Sequence, residues 1–177
     1  MEIQEIDSSQ LREFYRVFTQ VLREDFPEYP PQLKSFFINV EFPREFLRKK
    51  ISQWNYIVLL ATEEGKVVGF LAMEKPYGGV SYCSWLGVLK AYRGQGVGSR
   101  LVEVWERKVI ARGGHKLLLI TQSEKNRQFY KNRGFDEEGF EKKSWFGLDA
   151  WLFGKIIGRP KPRLFLCQVS SKKIKKK

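Results

Sequence analysis

A chain of 177 residues has the length of one compact domain, and 42% apolar with 15% aromatic residues gives it material for a buried core, which excludes wholesale disorder. The formal charge is +12, from 32 Lys and Arg against 20 Asp and Glu. Nine basic residues and no acidic one follow from Lys155 onward, so residues 1–154 carry only +3 and the basic character is mostly a C-terminal property.

The first six residues alternate weakly and meet Asp7-Ser8-Ser9, whose side-chain oxygens suit the free amides of a helix start. From Gln10 to Arg23, Leu11, Phe14, Tyr15, Phe18, Val21 and Leu22 recur at spacings of three and four, which predicts one buried helical face. Pro27, Pro30 and Pro31 end that helix, and a basic helix is expected from Pro43 through Phe46, Leu47, Lys50 and Ile51. Three strands follow, Tyr56 to Thr62, Lys66 to Glu74 and Val80 to Val88, joined by turn-rich segments that predict an antiparallel meander.

Next comes Arg93-Gly94-Gln95-Gly96-Val97-Gly98 and a helix from about Ser99 to Arg112, with Leu101, Val102, Trp105, Val109 and Ile110 on its buried side. The apolar run Leu117 to Ile120 reads as a central strand covered on both faces. A short helix near Lys125 to Arg133 stops at Gly134, and strands are expected near Phe135 to Phe140 and Ala150 to Ile156. The order β-α-α-β-β-β-α-β-α-β-β implies an α/β fold with one mixed sheet.

Cys83 and Cys167 form no CxxC pair and His115 is the single histidine, which excludes zinc-finger spacing, HExxH and three-histidine metal sites. No metal is expected. His115 reads as a turn residue and Cys83 as a small core residue. The N-terminus lacks the basic flank and apolar run of a signal peptide, and no window approaches about 18 apolar residues, so the expectation is a cytoplasmic protein without a membrane span.

A strand that runs into a glycine-rich loop and then a helix presents consecutive amides at the positive end of a helix dipole, a geometry for anionic phosphate. The glycines fall at Gly94, Gly96 and Gly98, which fits neither GxxxxGK[ST] nor GxGxxG. A pyrophosphate-bearing ligand accounts for strand, loop, helix and the arginine together. At this point the sequence resembles the GCN5-related N-acetyltransferase superfamily. Its acetyl-CoA signature, a strand followed by [RQ]-x-x-G-x-[GA], is matched by Arg93 to Gly98, and its later motif by the N-x-x-F-Y-x-x-x-G-F run from Asn126 to Phe135.

The resemblance implies a three-layer fold, with a mostly antiparallel sheet of about seven strands flanked by helices on both faces, as an acetyltransferase domain over residues 1–156. Residues 157–177 would be a basic extension whose last eight residues are disordered. It also implies roles. Main-chain amides over Arg93, Gly94, Gln95, Gly96, Val97, Gly98 and Ser99 would hold the pyrophosphate of acetyl-CoA. The strand before them would splay from its neighbour, with Val88 pairing to pantetheine and Leu86 and Gly87 facing the thioester. Asn126 would contact the arm or cap its helix, and Tyr130 would protonate the departing thiolate or simply pack its ring.

The family's carboxylate position on the strand is occupied by Tyr82, which leaves a water relay through Tyr82 and Ser84, or Glu74, as routes for the amine's proton. Glu24, Asp25 and Glu28 would face a cationic acceptor or be a solvated acidic loop. Trp145, Phe146 and Trp151 are read as a dimer face or a pocket lining. The expected activity is acetyl transfer from acetyl-CoA to a primary amine. Two alternatives are a nucleic-acid or ribosome-binding protein acting through Lys172, Lys173, Lys175, Lys176 and Lys177, and an acyl-CoA sensor without catalysis.

Overall fold

The computed structural model describes residues 1–27, 29–52, 56–161 and 163. Glu28, Cys167 and the lysines from Lys172 to Lys177 lie outside the described residues, and with them the expectations about the tail. Strands β1 (Glu2–Glu5), β2 (Tyr56–Glu63), β3 (Lys66–Glu74), β4 (Val80–Val88), β5 (Lys116–Thr121), β6 (Asp136–Glu141) and β7 (Ala150–Ile156) are hydrogen-bonded in the order β1-β2-β3-β4-β5-β7-β6. β4 and β5 run parallel, while β1–β2, β2–β3, β5–β7 and β6–β7 are antiparallel, so the sheet is mixed and mostly antiparallel as expected. The helices are α1 (Leu11–Asp25), α2 (Pro31–Phe36), α3 (Arg44–Ser52), α4 (Val97–Ala111) and α5 (Glu124–Lys131). By contact density the chain divides into two compact units, Met1–Glu74 with Trp85–Trp105, and Lys75–Ser84 with the residues from Glu106 onward.

In the first unit, the side chain of Asp7 accepts from the amides of Ser9 and Gln10 while Gln10 accepts from the amide of Asp7, a capping box on the short turn that leads into α1. The apolar stripe read from the sequence is buried, with Val17 added. Two helices were expected before the meander, and three are found. Pro31 starts α2 at its first position, where the missing N–H would have had no helical partner, and the carbonyl of Pro30 accepts from Leu33 and Lys34. The prolines therefore separate two helices. A single wide turn, Phe37–Glu41, follows α2, closed by the amide of Phe42 donating to the carbonyl of Phe37 at 2.9 Å.

That turn sends Phe37 and Phe42 into an aromatic core centred on Trp85, which meets Phe18 at 5.1 Å and Phe37 at 5.2 Å, both edge to face, and Phe26 and Phe42 at 5.9 and 6.0 Å. Such contacts add about 0.5–1.5 kcal/mol each beyond burial. Phe70 of β3 packs against Phe14 and Phe18 of α1, whereas a side chain on the neighbouring Gly69 would point oppositely and meet Val97 of α4. α1 and the start of α4 thus cover opposite faces of this sheet.

In the second unit, Leu117 and Leu119 of β5 are buried, but Leu118 and Ile120 are only half-buried, so the strand is covered more fully on one face than its composition suggests. Ile110, expected on the buried side of α4, is 46% exposed, because it lies about 140° around the helix from Trp105, off the stripe that buries Trp105 and Val109. α5 is tied to β6 by Arg127, which pairs with Glu137 at 2.9 Å, and by Lys131, which reaches Glu137 at 3.2 Å. These cations hold the Glu137 carboxyl below its usual range.

The packing around β4 predicts a steric effect. A β-carbon at Gly87 would lie 2.7 Å from the Phe70 ring and 2.9 Å from Val21. Gly87→Ala should destabilise the chain by about 1–3 kcal/mol, with partial recovery in Gly87→Ala/Phe70→Leu, measured by thermal and denaturant unfolding.

Candidate active site

β4 leads through Leu89 and a short turn, Lys90–Tyr92, into the glycine loop and α4. Gly94 and Gly96 have φ of +74° and +81°, a region that side chains rarely adopt, and a β-carbon on either would face open space. Glycine is needed here for backbone conformation, and the loop remains open on that side. The first α4 hydrogen bond runs from the amide of Arg100 to the carbonyl of Gly96 at 3.0 Å, so the amides from Gly96 to Ser99 precede the helix's own acceptors and sit at its positive end. Gly98 and Ser99 lie inside the first turn of α4, which begins at Val97, two residues before its expected start.

Arg93 is held by the protein itself. Its Nε donates to the carbonyl of Val88 at 2.9 Å, and its guanidinium pairs with Asp25 at 2.5 Å. This changes two readings. The cation expected beside the pyrophosphate is partly neutralised, and the acidic loop expected at the acceptor site loses one free charge, since Asp25 faces Arg93, while Glu24 accepts from the neutral amide of Gln20 and keeps its charge. No sequence pattern links positions 25 and 93. The single available hint was charge complementarity between the end of the first helix and the loop.

The parallel ladder between β4 and β5 runs from Val80↔Lys116 to Cys83↔Leu119 and stops there. β5 continues to Thr121 with β7 as its partner, and β4 continues to Val88. The β4–β5 pairing does not continue from Ser84 onward among the described residues. Alternation along β4 holds, with Ser81, Cys83 and Gly87 buried and Tyr82, Ser84, Leu86 and Val88 half-buried.

On α5, Asn126 occupies the third helical position and Ser123 the cap position, so Asn126 is not the helix cap. Tyr130 is buried, with its ring 5.7 Å from Phe153 and 5.8 Å from Phe135. Burial first, and then the nearby Cys83 and Tyr82, push its phenol well above the ordinary value, so it keeps its proton. Tyr82 and Tyr130, separated by 48 positions, are thus brought within electrostatic reach of each other. Glu74 stands exposed at the end of β3, opposite Tyr56 of β2. Trp145 and Phe146 are exposed, whereas Trp151 is half-buried beneath the guanidinium of Arg127 at 5.0 Å. His115 leads into β5, its amide donating to the carbonyl of Gly79 at 2.8 Å.

No helix among the described residues is long and apolar enough to cross a membrane. The loop, the helix start and the length of β4 beyond its β5 ladder form a fitting set of donors for a ligand with an anionic head and an amide-bearing arm.

The chain matches the model of the Acetyltransferase (GNAT) family over residues 11–135. No curated protein matches it. Among solved structures it is similar to a PaiA N-acetyltransferase from Thermoplasma acidophilum in complex with coenzyme A, at 18% identity, covering 88% of this chain and 98% of that one with a TM-score of 0.77. It is similar to an acetyltransferase of the GNAT family from Streptococcus pneumoniae at 25% identity, covering 89% and 99% with a TM-score of 0.72. It is also similar to an aminoglycoside 6'-N-acetyltransferase complexed with coenzyme A at 21% identity, covering 91% and 100% with a TM-score of 0.67. With the family model spanning most of its length and the fold shared across these structures, the chain belongs to the GNAT acetyltransferase family.

Proposed function

We propose that this protein transfers an acetyl group from acetyl-CoA to a primary amine. The observation that carries the reading is the end of the β4–β5 ladder at Cys83↔Leu119, on a strand that runs on to an open glycine loop at a helix start. The amides of Gly94, Gln95, Gly96, Val97, Gly98 and Ser99 are assigned to the pyrophosphate. Arg93 acts less as a free cation than as the brace between that loop, Val88 and Asp25.

The main chain of Leu86, Gly87 and Val88 is assigned to the pantetheine arm and the thioester carbonyl. In an extended strand the N–H and C=O of one residue point the same way. The Val88 amide therefore lies on the side where Arg93 meets its carbonyl and is available to a ligand. Asn126, inside the first turn of α5 and half-buried, is assigned to the arm as well.

Acetyl-CoA supplies an activated acyl group. The protein's part is to hold both reactants in one geometry, to polarise the carbonyl with backbone amides, and to manage two protons. As the C–N bond forms and the C–S bond breaks, Tyr130 donates its phenolic proton to the sulfur. The amine's proton leaves through water near Tyr82 and Ser84, or to Glu74. A phenol that burial keeps protonated suits a donor, because its proton is in place at neutral pH.

Two measurements test this. Calorimetry should show acetyl-CoA binding that Gly96→Glu weakens at least about a hundredfold, since the substitution forces a side chain into a positive-φ position and sets a carboxylate against the phosphates. Retained binding in that variant would remove the loop assignment. Tyr130→Phe should lower turnover about 10²-fold or more, with the pH profile between 6 and 10 keeping its shape because the phenol does not titrate there. Unchanged turnover, or loss of an alkaline limb on removing the phenol, would contradict the assignment.

A further inference from the structure

The face of α1 turned away from the core borders a cleft of about 900 Å³, closed on its other side by Ile38, Asn39, Pro43 and Arg44. Arg12, Arg16 and Arg23 lie along that face at spacings of four and seven residues, which keep them on one side of the helix. At 1.5 Å per residue they extend over about 16 Å.

The charges in the cleft are unevenly matched. Glu13 is taken by Arg16 at 2.9 Å, and the other end of that guanidinium donates to the carbonyl of Val67 at 2.8 Å. Glu24 accepts from Gln20. Arg12, Arg23 and Arg44 have no carboxylate partner among the described residues. Arg44 is instead stacked 5.5 Å above the ring of Tyr15, whose hydroxyl is anchored on the carbonyl of Phe42 at 2.5 Å. One wall of the cleft is thereby fixed to the core with a cation at its rim.

Arg12, Arg23 and Arg44 outnumber Glu24, the cleft carboxylate that is bonded to a neutral amide and keeps its charge, so the lining carries an excess of positive charge that nothing in the acetyl-transfer assignment uses. The planar fork of donors on each guanidinium matches phosphate oxygens in pairs. The volume lies in the range of small-molecule sites, and the length of the stripe exceeds the reach of a single small anion. We propose that this cleft is a second ligand site, separate in its residues from the glycine loop, that binds a small molecule carrying two or more linked phosphate groups. Arg12 and Arg44 engage one part of that chain and Arg23 another.

The test is a calorimetric titration of inorganic tripolyphosphate into the full chain at low salt, with coenzyme A at one equivalent so that the glycine loop is occupied and no free coenzyme A competes for the cleft. The proposal expects saturable binding that weakens with added salt. Arg12→Gln/Arg23→Gln/Arg44→Gln should weaken it about tenfold or more, with coenzyme A affinity unchanged. All three side chains are exposed, so the variant should melt close to the parent. Should the triple variant misfold, Arg23→Gln alone, with an expected loss of about three- to fivefold, decides the matter. No binding by the parent chain would overturn the proposal. So would equal binding by parent and variant, which would place the anion outside the cleft.

Discussion

The structure turns on the point where β4 and β5 stop pairing. Backbone N–H and C=O groups that leave a ladder must find other partners, and from Ser84 to Val88 one edge of β4 has none in β5. The carbonyl of Val88 finds one outside the sheet. Arg93 donates to Val88 and is itself steadied by Asp25 at the end of α1, so a single guanidinium connects the last residue of the strand, the first residue of the glycine loop and the end of a helix. α1 stops at Asp25 ahead of Pro27, and α4 opens immediately after the positive-φ glycines.

The same region shows how packing and chemistry share residues. Gly87 lies in the stretch assigned to the thioester, yet its lack of a side chain is also required by Phe70 and Val21. Trp85, two residues earlier, gathers the rings of Phe18, Phe26, Phe37 and Phe42, which makes this part of β4 rigid. A strand that offers its backbone to a ligand gains from immobility, because the ordering cost is met on folding. In the other unit, ion pairs from Arg127 and Lys131 to Glu137 fix α5, and burial in its aromatic surroundings keeps the Tyr130 phenol neutral.

Much of this was legible in the residue order because local rules and tertiary packing agree. The stripe from Leu11 to Leu22, the meander from Tyr56 to Val88 and the glycine punctuation at Gly94, Gly96 and Gly134 each carry a period or a breaker whose meaning is local. What escaped the reading was set by distant partners or by dual chemistry. Pro31 starts a helix as readily as it ends one, and the choice depends on how Phe37 and Phe42 pack. Asn126 carries a capping side chain but sits three positions too late to cap. The Asp25–Arg93 pair joins positions with no shared pattern, and it converts an acceptor-facing acid and a phosphate-facing cation into a brace for each other.

The central claim is that the amides of the glycine loop and the edge of β4 beyond its β5 ladder hold acetyl-CoA. Hydrogen–deuterium exchange of the full chain, with and without saturating acetyl-CoA, tests it most directly. The account predicts slower exchange at the amides of Gly94 through Ser99 and at Val88 when acetyl-CoA is present. Exchange at those amides that does not change under saturating acetyl-CoA would contradict it.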